Sequence, residues 1–205
     1  MEHWTTAVWL RELLAETPGL APTAVRITTA DARIAALEPA AMTATAHGSG
    51  TDALAVKSGL YLWNGSLDAS HAISQDLHDR TGSFWHGIMH RMEGDFDNAK
   101  YWFRRVGDHP VYERLQREAA AVIRGSVVPE PNGRSRIGAA DFGRLVQGGS
   151  WQPYDFVDLV RTQVDRGGSA ETGALLRRLQ ALECKLLLNA CCMACCGGTL
   201  FESLD

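Results

Sequence analysis

The chain has 205 residues, 45% of them apolar, which is enough to close a core of single-domain size. Its 20 basic and 24 acidic side chains leave a net charge of −4, too weak a bias to point to nucleic acid or an anionic membrane as partner. The five cysteines, Cys184, Cys191, Cys192, Cys195 and Cys196, crowd into the last 22 residues. A disulfide framework would staple distant segments, so a reducing, cytoplasmic setting is expected.

Strand signals are scarce and apolar residues recur at three and four, so the expected fold is all-α: antiparallel helical hairpins packed as a bundle or a short array over a single domain, 1–205. The start, Met1-Glu2-His3-Trp4, lacks the basic region and apolar run of a secretory signal, so no export is expected. A first helix is predicted over 3–16, with Trp4, Val8 and Leu14 near one face and Pro18-Gly19 as its stop. A second runs from Thr29 to Leu37 and ends before Pro39, which makes 1–39 an N-terminal helical pair. Ala40 to Gly50 reads as a connection.

The central block, 51–123, alternates helix-length apolar segments with turns at Asn64-Gly65, Arg80-Thr81-Gly82, Glu93-Gly94 and Gly107 to Pro110. Gly125 to Pro153, rich in Gly, Pro and Ser, is expected to be a long loop over 125–153, a functional flap with one short helix around Ala140 to Val146. The C-terminal part, 154–205, holds two predicted helices, Tyr154 to Val164 and Glu171 to about Cys196, the second N-capped by Ser169. Arg and Glu interrupt every apolar helix candidate, so no membrane span is expected.

One internal period stands out: Trp63-Asn64-Gly65-Ser66-Leu67-Asp68-Ala69-Ser70 aligns with Met92-Glu93-Gly94-Asp95-Phe96-Asp97-Asn98-Ala99 at an offset of 29. Each Gly suits a left-handed helix C-terminus, and Ser66 or Asp95 suits the next N-cap. Gly87, Gly94, Phe96, Ala99 and Phe103 sit at intervals resembling a tetratricopeptide repeat, so the resemblance implies a helical hairpin in which Gly87 and Ala99 allow close approach. The longer stretch SLDASHAISQDLHDRTGSFWHGIMHRMEGDFDNAKYWFRRVGDHP, Ser66 to Pro110, resembles a family of uncharacterised bacterial and fungal proteins, and WQPYDFVDLV, Trp151 to Val160, is similar to its C-terminal half. That resemblance spans about two thirds of the chain and implies no particular activity.

Chemistry-bearing residues concentrate in the same block, where five of the seven histidines, His71, His78, His86, His90 and His109, fall. His71, Gln75 and His78 stand at i, i+4, i+7, as do His86, His90 and Glu93, so each trio is expected along one face of its helix. If both faces turn inward, His71, His86, His90 and Glu93 offer imidazoles and a carboxylate to a divalent transition metal, zinc or iron. The other reading is of satisfied core or surface histidines, since neither HExxH nor paired ExxH occurs.

Trp85, His86, His90, Lys100, Trp102 and Arg105 together suit a pocket for an anionic or planar ligand, although Trp102 equally suits a core and Lys100 and Arg105 a solvated face. Cys192-x-x-Cys195 supplies one half of a thiolate site, but Cys184, Cys191 and Cys195 share a helical stripe with Leu187 and Leu188 and pack equally well as small apolar residues. Phosphate-binding glycine loops and nucleophile elbows are missing from the sequence. Two functions follow: a helical module binding an unknown protein or small-molecule ligand, with no nucleic acid and no membrane, or a metal-dependent enzyme built on the central histidines.

Overall fold

The computed structural model describes residues 4–43, 48–128 and 136–201. Among these the fold is all-α, with eleven α-helices, two short 3-10 turns and no strand. The N-terminal arm comprises α1 (Val8–Ala15), α2 (Ala30–Ala35) and α3 (Pro39–Met42). The central helices are α4 (Gly50–Asn64), α5 (Leu67–Ser74), α6 (Arg80–Glu93), α7 (Phe96–Val106) and α8 (Val111–Arg124). After α9 (Ala139–Arg144) come α10 (Pro153–Arg166) and α11 (Ala170–Cys196).

The helix boundaries follow from local chemistry. Ser49 and Asp52 close a reciprocal capping box on α4, while Asp79, Asp95 and Ser169 each accept a first-turn N–H at the start of α6, α7 and α11. Gly65 and Gly94 end α4 and α6 at φ +82° and +96°, the left-handed C-terminus that the repeated motif predicts. Ser66 departs from that prediction: its hydroxyl leaves the α5 N-terminus and donates to Asp31 Oδ1, helping to tie α2 down.

Two long helices, α4 and α11, are buried over most of their length and pack on each other. Gly59 makes this close approach possible, because a Cβ there would lie 2.5 Å from Trp85 and 2.8 Å from Leu188. Around this pair α5, α6 and α7 follow in sequence, with α6 packed against both α5 and α7, and Gly87 admits the Phe103 ring between α6 and α7. The α4–α11 contact joins segments far apart in the chain, which a stack of repeats held only by nearest neighbours lacks.

A buried polar knot fixes α6 to α11. Arg91 pairs with Glu183, its Nε donates to Gln180 Oε1 at 3.1 Å, and Trp151 Nε1 donates to the other Glu183 oxygen at 3.2 Å. The guanidinium also lies 4.4 Å from the centre of the Phe156 ring. Pairing is what makes these charges tolerable inside, since both side chains are fully buried.

Several sequence expectations change. The first helix is shorter than 3–16 because Trp4–Thr6 forms a separate 3-10 turn, and its inward residues are Leu10 and Leu13, with Val8 exposed. The 40–50 connection begins inside α3, where Pro39 sets the first helical residue; 44–47 lie outside the described residues. Arg80-Thr81-Gly82 is the first turn of α6, not a connection, because Asp79 caps there. Within 125–153, Ile137, Phe142, Leu145 and Trp151 are buried in the core, so those parts are packed; 129–135 lie outside the described residues. Among the described residues one helix, α11, is long and apolar enough to cross a membrane, contrary to the expectation that charges break every such run, and most of that stretch is buried inside the fold.

Candidate metal centre

The loop between α5 and α6 brings His71 of α5 alongside His86 and His90 of α6. One ligand nitrogen from each of these three lies within 4.8 Å of the other two, the one such group of three among the described residues. Ring centres are 4.6 Å apart for His71 and His86, 4.8 Å for His86 and His90, and 5.6 Å for His71 and His90. His86 and His90 are buried and His71 is half-buried, so the cluster reaches the surface on the His71 side.

Hydrogen bonding engages Nδ1 of both α6 rings. Ser74 Oγ lies 3.0 Å from His86 Nδ1 and 3.4 Å from the His71 carbonyl, so when the hydroxyl donates to that carbonyl its oxygen accepts from a protonated Nδ1. His90 Nδ1 lies 3.0 Å from Glu93 Oε2, and a carboxylate only accepts, so this nitrogen too carries the hydrogen. With Nδ1 engaged on both rings, Nε2 is the nitrogen left for a metal, the arrangement by which outer partners orient metal-binding histidines.

Asn98 of α7 adds a third contact: its Nδ2 lies 3.0 Å from His90 Nε2 and 3.4 Å from Nδ1. The in-plane directions of the two ring nitrogens diverge, so one atom this near to both lies across the ring face and leaves the Nε2 lone pair open. Trp102 stacks on His86 with ring centres 3.9 Å apart, and Arg105 lies 5.1 Å from the Trp102 ring centre.

Burial and the neighbouring imidazoles His90 and His71 push the His86 pKa down to about 3, against a smaller raising effect from Ser74. Burial likewise lowers the His90 pKa, with Glu93 opposing. Both rings are therefore neutral at pH 7, and protons do not compete for their Nε2 atoms.

The sequence-predicted residues separate into two sets. His71, His86, His90, Trp102 and Arg105 come together. Glu93 adjoins them only through Nδ1 of His90, so its carboxylate orients a ring instead of joining the converging nitrogens. Gln75 and His78 are exposed and fall outside the cluster, because α5 ends at Ser74 and the predicted i, i+4, i+7 face stops there.

Trp85 is fully buried against Gly59 and Leu188, on the side of α6 that meets α4 and α11. Lys100 reaches Asp158 of α10 at 2.6 Å. His109 is a packing residue: its Nδ1 accepts from the Val111 N–H and its ring meets Phe84 and Tyr112.

Comparison with protein-family models, with curated proteins and with solved structures finds no match. The histidine geometry has to carry the functional reading. Sequence reasoning missed Ser74 and Asn98. Asn98 had a readable signal, since Asn98, Trp102 and Arg105 stand at i, i+4, i+7 on α7, whereas Ser74 carries none.

The cysteines form no comparable centre. Cys184, Cys191, Cys192 and Cys195 are buried along α11, all five thiols are free, and none joins a group of three or more metal-binding side chains among the described residues. Burial raises the pKa of each of these four, Cys191 to about 12 and Cys195 to about 11, which disfavours the thiolate that metal binding needs.

Proposed function

We propose that this protein is a metal-dependent one, with a single divalent transition ion, zinc or iron, held by Nε2 of His86 and His90 together with His71. The observation that carries this reading is the convergence of three imidazoles within 4.8 Å, two of them oriented by outer hydrogen bonds and kept neutral by burial. Closing the cluster to bonding distance requires modest side-chain motion, and the half-buried His71 is the ring free to make it. Three neutral ligands leave the ion its full charge and an open position, where it would lower the pKa of a bound water to about 7 for attack or proton transfer.

A ligand-binding module without metal is the second reading, favoured by the Trp102–Arg105 stack beside the histidines. A reducing, cytoplasmic setting suits both, given five free thiols. The proposed resemblance to uncharacterised bacterial and fungal proteins through Ser66 to Pro110 spans all three histidines.

Elemental analysis of the purified protein, beside a His86→Ala/His90→Ala variant checked for helicity, tests the proposal. About one zinc or iron per chain in the wild type, lost in the variant, is the expected result. Chelator-treated wild-type protein that takes up neither Zn(II) nor Fe(II) overturns it in favour of the metal-free module.

A further inference from the structure

The helix that covers the histidine cluster is not neutral scaffolding. Asn98, Trp102 and Arg105 lie on one stripe of α7 and follow the cluster in order, Asn98 across His90, Trp102 against His86, and Arg105 over Trp102. Asn98 and Trp102 are half-buried and Arg105 is exposed, so the stripe leads from the cluster to solvent.

Lys100 of α7 pairs with Asp158, and Arg161 of α10 with Asp97 and Asp165, whereas Arg104, like Arg105, is exposed and in no ion pair among the described residues. Arg105 has no such engagement, for no carboxylate among the described residues pairs with it. Its guanidinium lies over the Trp102 ring, 5.1 Å from the ring centre, a contact that leaves N–H donors available to a ligand.

We infer that the ligand taken by the open position of the metal centre is an oxyanion, a carboxylate or phosphate group, bound between the ion and Arg105 with Trp102 as its wall and Asn98 as an amide donor. This rests on the three-histidine reading above. Charge is the reason: three neutral imidazoles cancel none of the ion's two positive charges, and the nearby Glu93 is occupied at His90 Nδ1. A neutral substrate would leave that charge unbalanced, whereas an oxyanion offsets it and fits the planar fork of the Arg105 guanidinium.

Cobalt substitution separates this inference from the one beneath it. Chelator-treated protein is loaded with Co(II), its visible absorption is recorded, and acetate or inorganic phosphate is titrated in separate arms. The expected result is a cobalt band in the wild type that shifts saturably with at least one anion, the tighter arm naming carboxylate or phosphate. Arg105→Ala should bind cobalt as tightly as wild type and the anion about tenfold more weakly, the loss of one charge-assisted contact. Lys100→Ala serves as the charge control and should leave both affinities unchanged.

If no cobalt band forms, the metal centre itself fails and this inference with it. A band that neither anion moves, or one that moves equally in wild type and Arg105→Ala, overturns the oxyanion site alone.

Discussion

Replacing Arg91 with methionine isolates the force that holds α6, and with it His86 and His90, against α11. The substitution keeps an unbranched apolar stem beside Phe103 and Phe156 but removes the charge that faces Glu183 and the donor that faces Gln180 Oε1. Glu183 is then left fully buried with one neutral donor, Trp151 Nε1, a situation that costs about 3–5 kcal/mol. The unpaired Gln180 oxygen adds about 1 kcal/mol or more, unless its amide turns, which would forfeit its bonds to the Gly19 and Leu20 carbonyls.

Arg91→Met should therefore destabilise the fold by roughly 4 kcal/mol, a large share of a typical domain's total. The double variant Arg91→Met/Glu183→Leu removes both charges and should recover at least half of that loss. Urea unfolding of chelator-treated protein, followed by far-UV circular dichroism, measures all three species. A single-variant cost below about 1 kcal/mol, or a double variant as unstable as the sum of its two singles, would refute the argument that the pair is held by mutual need.

Acid should weaken the metal-free protein earlier than carboxylate titration would. His86, His90 and His109 have folded-state pKa values lowered by burial, so below about pH 6.5 the unfolded chain takes up protons that the folded one refuses. Stability is complete above that value and falls as the pH drops, by up to about 1.4 kcal/mol per pH unit for each histidine. For His86, beside His71, His90 and Ser74, the decline continues to about pH 3. Urea midpoints that are flat between about pH 7 and pH 5 would contradict this. Thiol titration with a chromogenic disulfide should find Cys196 reacting readily in the native protein and the other four only on unfolding; rapid reaction of Cys191 or Cys192 would show α11 to be more open than its burial indicates.

The sequence by itself determined what depends on near neighbours. All-α structure was legible from the three-and-four spacing of apolar residues. The stops at Gly65 and Gly94 and the Asp95 and Ser169 caps were legible from residue chemistry, because a helix end is decided within a few residues. His86 and His90 were placed on one face by their spacing alone, and the addition of His71 followed only if α5 turned inward.

Tertiary structure decided that condition and the roles around it. The α5–α6 crossing brings His71 to α6, the end of α5 at Ser74 discards His78, and the same residue orients His86. Glu93, counted as a ligand from its place at i+7 on the His86–His90 face, turns out to hold His90 from behind. The pairing of Arg91 with Glu183, 92 residues apart, had no local signal. Which side chains meet across such separations is set by how whole helix faces pack, a sum over many distant contacts that no single window of sequence contains.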